Sequence, residues 1–132
     1  MKSIYDLEEV EIIQLIAKAV GIPLEQLGKS QIYLVRSGCY MHGAMPSERY
    51  LPTELGMHFV PLLELYRPFI TPLNDVISVE IVGSTTSVKT ERSPDYVAVK
   101  AKTIRYAVCL AIVAYHFGYE VDVDKLLAYE HD

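Results

Sequence analysis

Apolar residues recur along this chain at two different spacings, and the spacing separates helices from strands. Leu7, Val10, Ile13, Ile16 with Ala17, and Val20 follow one another at three- and four-residue steps. That step keeps them on one helical face, so a first helix is predicted over residues 7–20. Asp6 stands as its N-cap with Glu9 three residues on, the spacing of a capping box. Glu8, Glu9 and Glu11 suit the positive end of the helix dipole, and Gly21 followed by Pro23 stops the helix. Residues 23–27 read as a short helical turn. Residues 31–37 read as a strand, with Ile32 and Leu34 on one face and Tyr33 and Val35 on the other. Residues 38–46 form a glycine-bearing loop.

A second helix is predicted over residues 54–66, capped by Thr53. Its stripe is Leu55, Phe59, Leu62 with Leu63, and Tyr66. Pro61 lacks a backbone donor, which predicts a kink or a fresh helix start. Arg67-Pro68 ends the helix. Residues 69–71 are a short strand. Residues 76–82 are the clearest strand, with Val76, Ser78, Glu80 and Val82 opposite Ile77, Val79 and Ile81. Gly83 to Thr86 is a turn, and residues 87–91 return antiparallel as a hairpin. Ser93-Pro94-Asp95 has the chemistry of a helix start, and a long helix is predicted from there to Phe117, before Gly118. Val97, Ala101, Ile104, Val108, Ala111 and Tyr115 make its core stripe. Tyr106, Leu110, Val113 and Phe117 make a second apolar stripe on the far side. Residues 119–123 are extended and residues 124–129 form a short helix.

The order of elements, αβ(α)ββα, predicts an α+β fold with a small antiparallel sheet and helices packed on it, in one domain over residues 1–132. One sheet does not cover a helix that is apolar on two sides. The tail or a second subunit is expected to cover Tyr106, Leu110, Val113 and Phe117, so the chain is expected to be a homo-oligomer using those residues as its interface. A mean hydropathy of +0.19 points the same way.

Composition narrows the function classes. The chain is 51% hydrophobic and 22% charged, a globular balance. Its formal net charge is −5, which argues against general nucleic-acid binding. Charge is uneven, however. Residues 89–105 carry Lys89, Arg92, Lys100, Lys102 and Arg105 against Glu91 and Asp95, a net +3, while the tail after Gly118 nets −4. Two opposite solvated faces, or a basic patch for an acidic partner, both fit. The opening residues lack a secretory pattern, and the apolar run 106–115 is far short of the ~20 residues of a spanning helix. A cytoplasmic location without membrane contact is expected.

Candidate chemistry is sparse. Cys39 and His42 put a thiol and an imidazole on one loop, as a nucleophile and base would require. No Asn or Asp is placed to orient His42, and a structural loop is the simpler reading. Cys109 lies in an apolar stretch and reads as a buried thiol. His58 and His116 read as helix-surface or satisfied core residues, and the ligand spacing predicts no metal site. No cofactor is predicted. Ser84, Thr85, Lys89, Arg92 and Lys100 could hold an anion near the hairpin tip, against the plainer reading of a polar turn. Ten tyrosines without a tryptophan suit an interface, with Tyr40, Tyr50, Tyr96, Tyr106 and Tyr119 as candidates.

Three stretches carry a family resemblance. EVEIIQLIAKAVG resembles the opening helix of the phage ABA-sandwich domain, or NinX-like, small phage proteins. YLPTELGMHFVPLLELYRPFI resembles their middle segment, and TIRYAVCLAIVAYHFGYEVDV their closing helix. The resemblance implies helices outside a small antiparallel sheet and a phage or prophage origin. It implies no catalytic residues. The resulting expectation is a non-enzymatic accessory protein that binds a host or phage protein, with inhibition of a host defence system added by analogy. The alternatives are an oligomer that sequesters a small anionic ligand or nucleotide, and a Cys-His hydrolase.

Overall fold

The computed structural model describes residues 1–22, 24–26, 33–35, 51–54, 56–90 and 94–127. Strand β1 (Lys2–Ser3) leads into a 3-10 turn, Ile4–Asp6, whose first turn is capped by Ser3 Oγ accepting from the Tyr5 amide. Helix α1 (Glu9–Val20) therefore starts later than expected. Glu8, not Asp6, is its N-cap, and the capping box is formed by Glu8 and Glu11. The Glu11 carboxylate accepts from the Glu8 amide at 2.8 Å and from Lys2 Nζ at 3.0 Å, which ties β1 to the helix. That bond to Glu11 raises the Lys2 pKa. Gly21 ends the helix at φ +80°, a left-handed position that a side chain disfavours.

Strands β2 (Leu24–Gln26) and β3 (Tyr33–Val35) pair antiparallel. Residues 24–26 were expected in a helical turn; they are a strand because residues 33–35 offer them a partner. Helix α2 (Gly56–Tyr66) continues through Pro61. It begins at Gly56, so Thr53 does not cap it. The Thr53 hydroxyl instead donates to Glu9 Oε1 at 3.0 Å. Phe59, Leu62 and Tyr66 face the core as predicted, joined by His58, while Leu55 lies outside the described residues. Arg67 takes a left-handed φ of +47° and Pro68 follows, so the helix cannot continue.

Strands β4 (Phe69–Pro72), β5 (Ile77–Val82) and β6 (Tyr96–Ala101) form an antiparallel sheet in that order. Here the structure corrects the sequence reading most. The return strand for β5 is residues 96–101, not 87–91, and residues 96–101 are not the start of a helix. Of the expected return, residues 87–90 are irregular: Ser87 N donates to Leu65 O and the Tyr115 hydroxyl to Val88 O. Glu91, Arg92 and Ser93 lie outside the described residues. Helix α3 (Ile104–Phe117) starts at Thr103, whose Oγ1 accepts from the Tyr106 amide at 3.2 Å. After Gly118, β7 (Glu120–Val121) pairs with β1, and α4 (Val123–Leu127) follows.

The fold is a small α+β arrangement with antiparallel sheets. Helix α3 is its centre. It packs on β5 and β6, and also against α1, α2 and the 3-10 turn, so Ala107 to Tyr115 are all buried. The second apolar stripe is therefore covered within the chain. Leu110 is 1% exposed and Val113 0% exposed, while Tyr106 and Phe117 are partly buried against the core. Leu110 and Val113 are therefore not a free interface, and the stripe by itself no longer calls for a second copy to cover it. In α1 the burial is also wider than one stripe: Ile12 to Ala17 are buried in succession. Burying a Leu or Ile side chain contributes about 1.5–3 kcal/mol, so these two helices hold much of the fold together. Among the described residues no helix is long and apolar enough to cross a membrane.

Candidate functional site

The alternation of residues in β5 and β6 sorts their side chains onto two faces. Val79 sits opposite Val99 and Ile81 opposite Val97. All four are buried and look toward α3. The residues between them belong to the other face. Across the sheet, Phe69 stands opposite Glu80 and Glu80 opposite Ala98. Thr71 stands opposite Ser78 and Ser78 opposite Lys100, and Val82 opposite Tyr96.

This second face is aromatic at its flanks and charged between them. Phe69 is 50% exposed and Tyr96 is 52% exposed. The Tyr96 hydroxyl donates to Glu80 Oε2, which fixes the ring beside the carboxylate. That bond, with smaller effects of burial and of the Glu80 charge, raises the Tyr96 phenol pKa above its usual range. Lys100 is exposed in the next row. Ile70 and Leu73, at the β4 side, are also exposed, so apolar surface continues around that edge. Such a face can bury aromatic rings against a partner and pair its Glu80 and Lys100 with opposite charges.

The predicted anion site does not assemble as one unit. Ser84 and Thr85 are exposed at the end of β5, and Lys89 Nζ donates to Gly83 O at 2.8 Å. Lys100 lies in β6 opposite Ser78, four positions along the strand from Tyr96 at the hairpin end. At roughly 3.3 Å per residue that is about 13 Å from the tip. Arg92 lies outside the described residues, as do Cys39, His42, Tyr40 and Tyr50. Of the tyrosines proposed for an interface, Tyr96 and Tyr119 are half-exposed and Tyr106 is partly buried. Burial, then the nearby Glu9 charge, raises the Tyr106 pKa.

Other titratable groups have structural work. Cys109 is fully buried, and burial pushes its thiol pKa up, which keeps it protonated and unreactive. His58 is buried and its Nδ1 accepts from the Leu51 amide at 2.9 Å. His116 shares a 2.6 Å hydrogen bond with the buried Tyr66 hydroxyl and packs edge-on against the Tyr66 and Tyr115 rings. Burial pulls the His116 pKa down to about 4, so the imidazole is neutral at pH 7. The same desolvation raises the Tyr66 phenol. Among the described residues no group of three or more His, Cys, Asp or Glu is gathered as a metal would need. A shallow groove of about 380 Å³ runs past Thr53, Phe59, Thr103, Ile104 and Arg105. The Arg105 guanidinium lies 5.8 Å from the centre of the Phe59 ring.

Sequence reasoning marked Tyr96 but missed Phe69 and Glu80 as its companions. Their signal was the alternation across residues 96–101, which places Tyr96 beside Glu80 only once the segment is a strand. No protein-family model, no curated protein and no solved structure matches this chain.

Proposed function

We propose that this chain is a non-enzymatic binding protein that docks on a host or phage protein through the open face of its three-stranded sheet. The observation that carries the reading is the half-exposure of Phe69 and Tyr96 on either side of Glu80, on a sheet whose opposite face is closed by α3. Aromatic residues are enriched in protein interfaces, and a few such anchors supply most of the binding energy. A phage or prophage origin, with bacterial cytoplasm as the place of action, is part of the proposal. It rests on the resemblance of the three segments quoted above. Inhibition of a host defence system is one form such binding can take.

The test is affinity capture from bacterial lysate with the parent chain, with Phe69→Ala/Tyr96→Ala, and with Lys89→Ala as a control at an exposed position outside the sheet. A protein retained by the parent and by Lys89→Ala, but lost with the double variant, supports the reading. Equal capture by all three overturns it.

A further inference from the structure

A three-stranded sheet has two edges, and an edge with free backbone groups invites another strand. Both edges here are short of free donors, by different means. The ladder phase shows how. Gly83 N donates to Asp95 O at 2.8 Å, so Val97, Val99 and Ala101 exchange bonds with β5. The backbones of Ala98 and Lys100 then point away from the sheet. Their amides are not left to solvent. The Ala98 amide donates to the Tyr119 hydroxyl at 2.9 Å, and the Lys100 amide donates to the Tyr5 hydroxyl at 3.3 Å. The two acceptors come from opposite ends of the chain, held together because Ile4 N donates to Tyr119 O at 2.9 Å. They sit two residues apart along β6, where the carbonyls of an incoming strand would sit.

The β4 edge reaches the same end with proline. Leu73 N donates to Val76 O, so Phe69 and Thr71 bond to β5, and Ile70 and Pro72 point outward. Pro72 has no amide hydrogen, nor has Pro68 just before the strand, so Ile70 is the single outward donor of that edge.

We propose that the Tyr5 and Tyr119 hydroxyls close the outer edge of β6 against the addition of a second copy of this chain. Tyr5→Phe/Tyr119→Phe keeps both rings and removes only the two acceptors. Amide hydrogen exchange at Ala98 and Lys100 is expected to quicken at least tenfold. Light scattering is expected to show a larger mass than the parent at equal concentration. Adding Ala98→Pro, which deletes the outward donor as on the β4 edge, is expected to return the mass to that of the parent. Unchanged exchange at both amides, or the parent's mass with both amides exposed, overturns the proposal. A double variant that fails to fold moves the same two readings to Tyr119→Phe alone, with exchange read at Ala98.

Discussion

The two faces of the three-stranded sheet are built from alternate residues of the same strands, yet they do opposite things. One carries Val79, Ile81, Val97 and Val99 and is sealed by α3; the other carries Phe69, Glu80, Tyr96 and Lys100 and meets solvent. A one-residue slip of β6 would turn Tyr96 and Lys100 inward and Val97 and Val99 outward, so the register that stabilises the fold also displays the proposed docking face. Fold stability and the proposed docking are therefore separable: a change on the closed side should destabilise the protein, and a change on the open side should weaken only the docking proposed for it.

The largest break of that comparison is on the closed side. Leu110→Ala, in the helix that seals the sheet, should cost about 2–5 kcal/mol in chemical denaturation, because the surrounding core closes only partly around the loss. Gly83→Ala comes next. An added methyl carbon would stand 2.7 Å from Pro94 O, a backbone atom that cannot swing aside, so the β5–β6 register should be strained at a cost of about 1–3 kcal/mol. A normal melting temperature in this variant would show that the hairpin end is loose.

Tyr66→Phe should cost about 1–2 kcal/mol by leaving His116 Nε2 without its 2.6 Å partner. His116 also gives the closed side a pH dependence. Its pKa is lower folded, about 4, than the ordinary 6.5, so the unfolded chain takes up the proton first. Stability from this group is full above pH 6.5 and is lost as pH falls toward 4. The loss should be about 1–2 kcal/mol, because the imidazole is partly solvated, and His116→Gln should remove this part of the slope in denaturation at pH 7 and pH 4.5. Smallest of all, Phe69→Ala and Tyr96→Phe should each change stability by no more than about 0.5 kcal/mol, as exposed positions do. A large loss in either would mean that the open face is packed.

The helices were legible where a stop or cap stood beside an apolar stripe. Gly21 and Gly118 marked two ends correctly; the strand expected over 76–82 stood out by β-branched alternation and runs over 77–82, and the short strand expected over 69–71 runs over 69–72. Residues 96–101 misled because Ser93-Pro94-Asp95 has the chemistry of a helix start, and Val and Ala fit either period. Thr103 was the true cap, legible only if the Val97–Val99 alternation is given more weight than Ser93. The second apolar stripe of α3 was read correctly as needing cover. Its cover within the chain could not be seen from the stripe itself, because periodicity names a face and not what it meets. The candidate face was legible only in Tyr96; Phe69 and Glu80 join it through strand register, which spans a sequence separation that local patterns do not encode.

Hydroxyl-radical footprinting, run on the pure protein and again in bacterial lysate, tests the central claim most directly. The account predicts that Phe69 and Tyr96 are oxidised readily in the pure protein while Tyr66 and Tyr115 are spared, and that lysate protects Phe69 and Tyr96 alone. Protection of Phe69 and Tyr96 in the pure protein, or their equal oxidation in both samples, would contradict it.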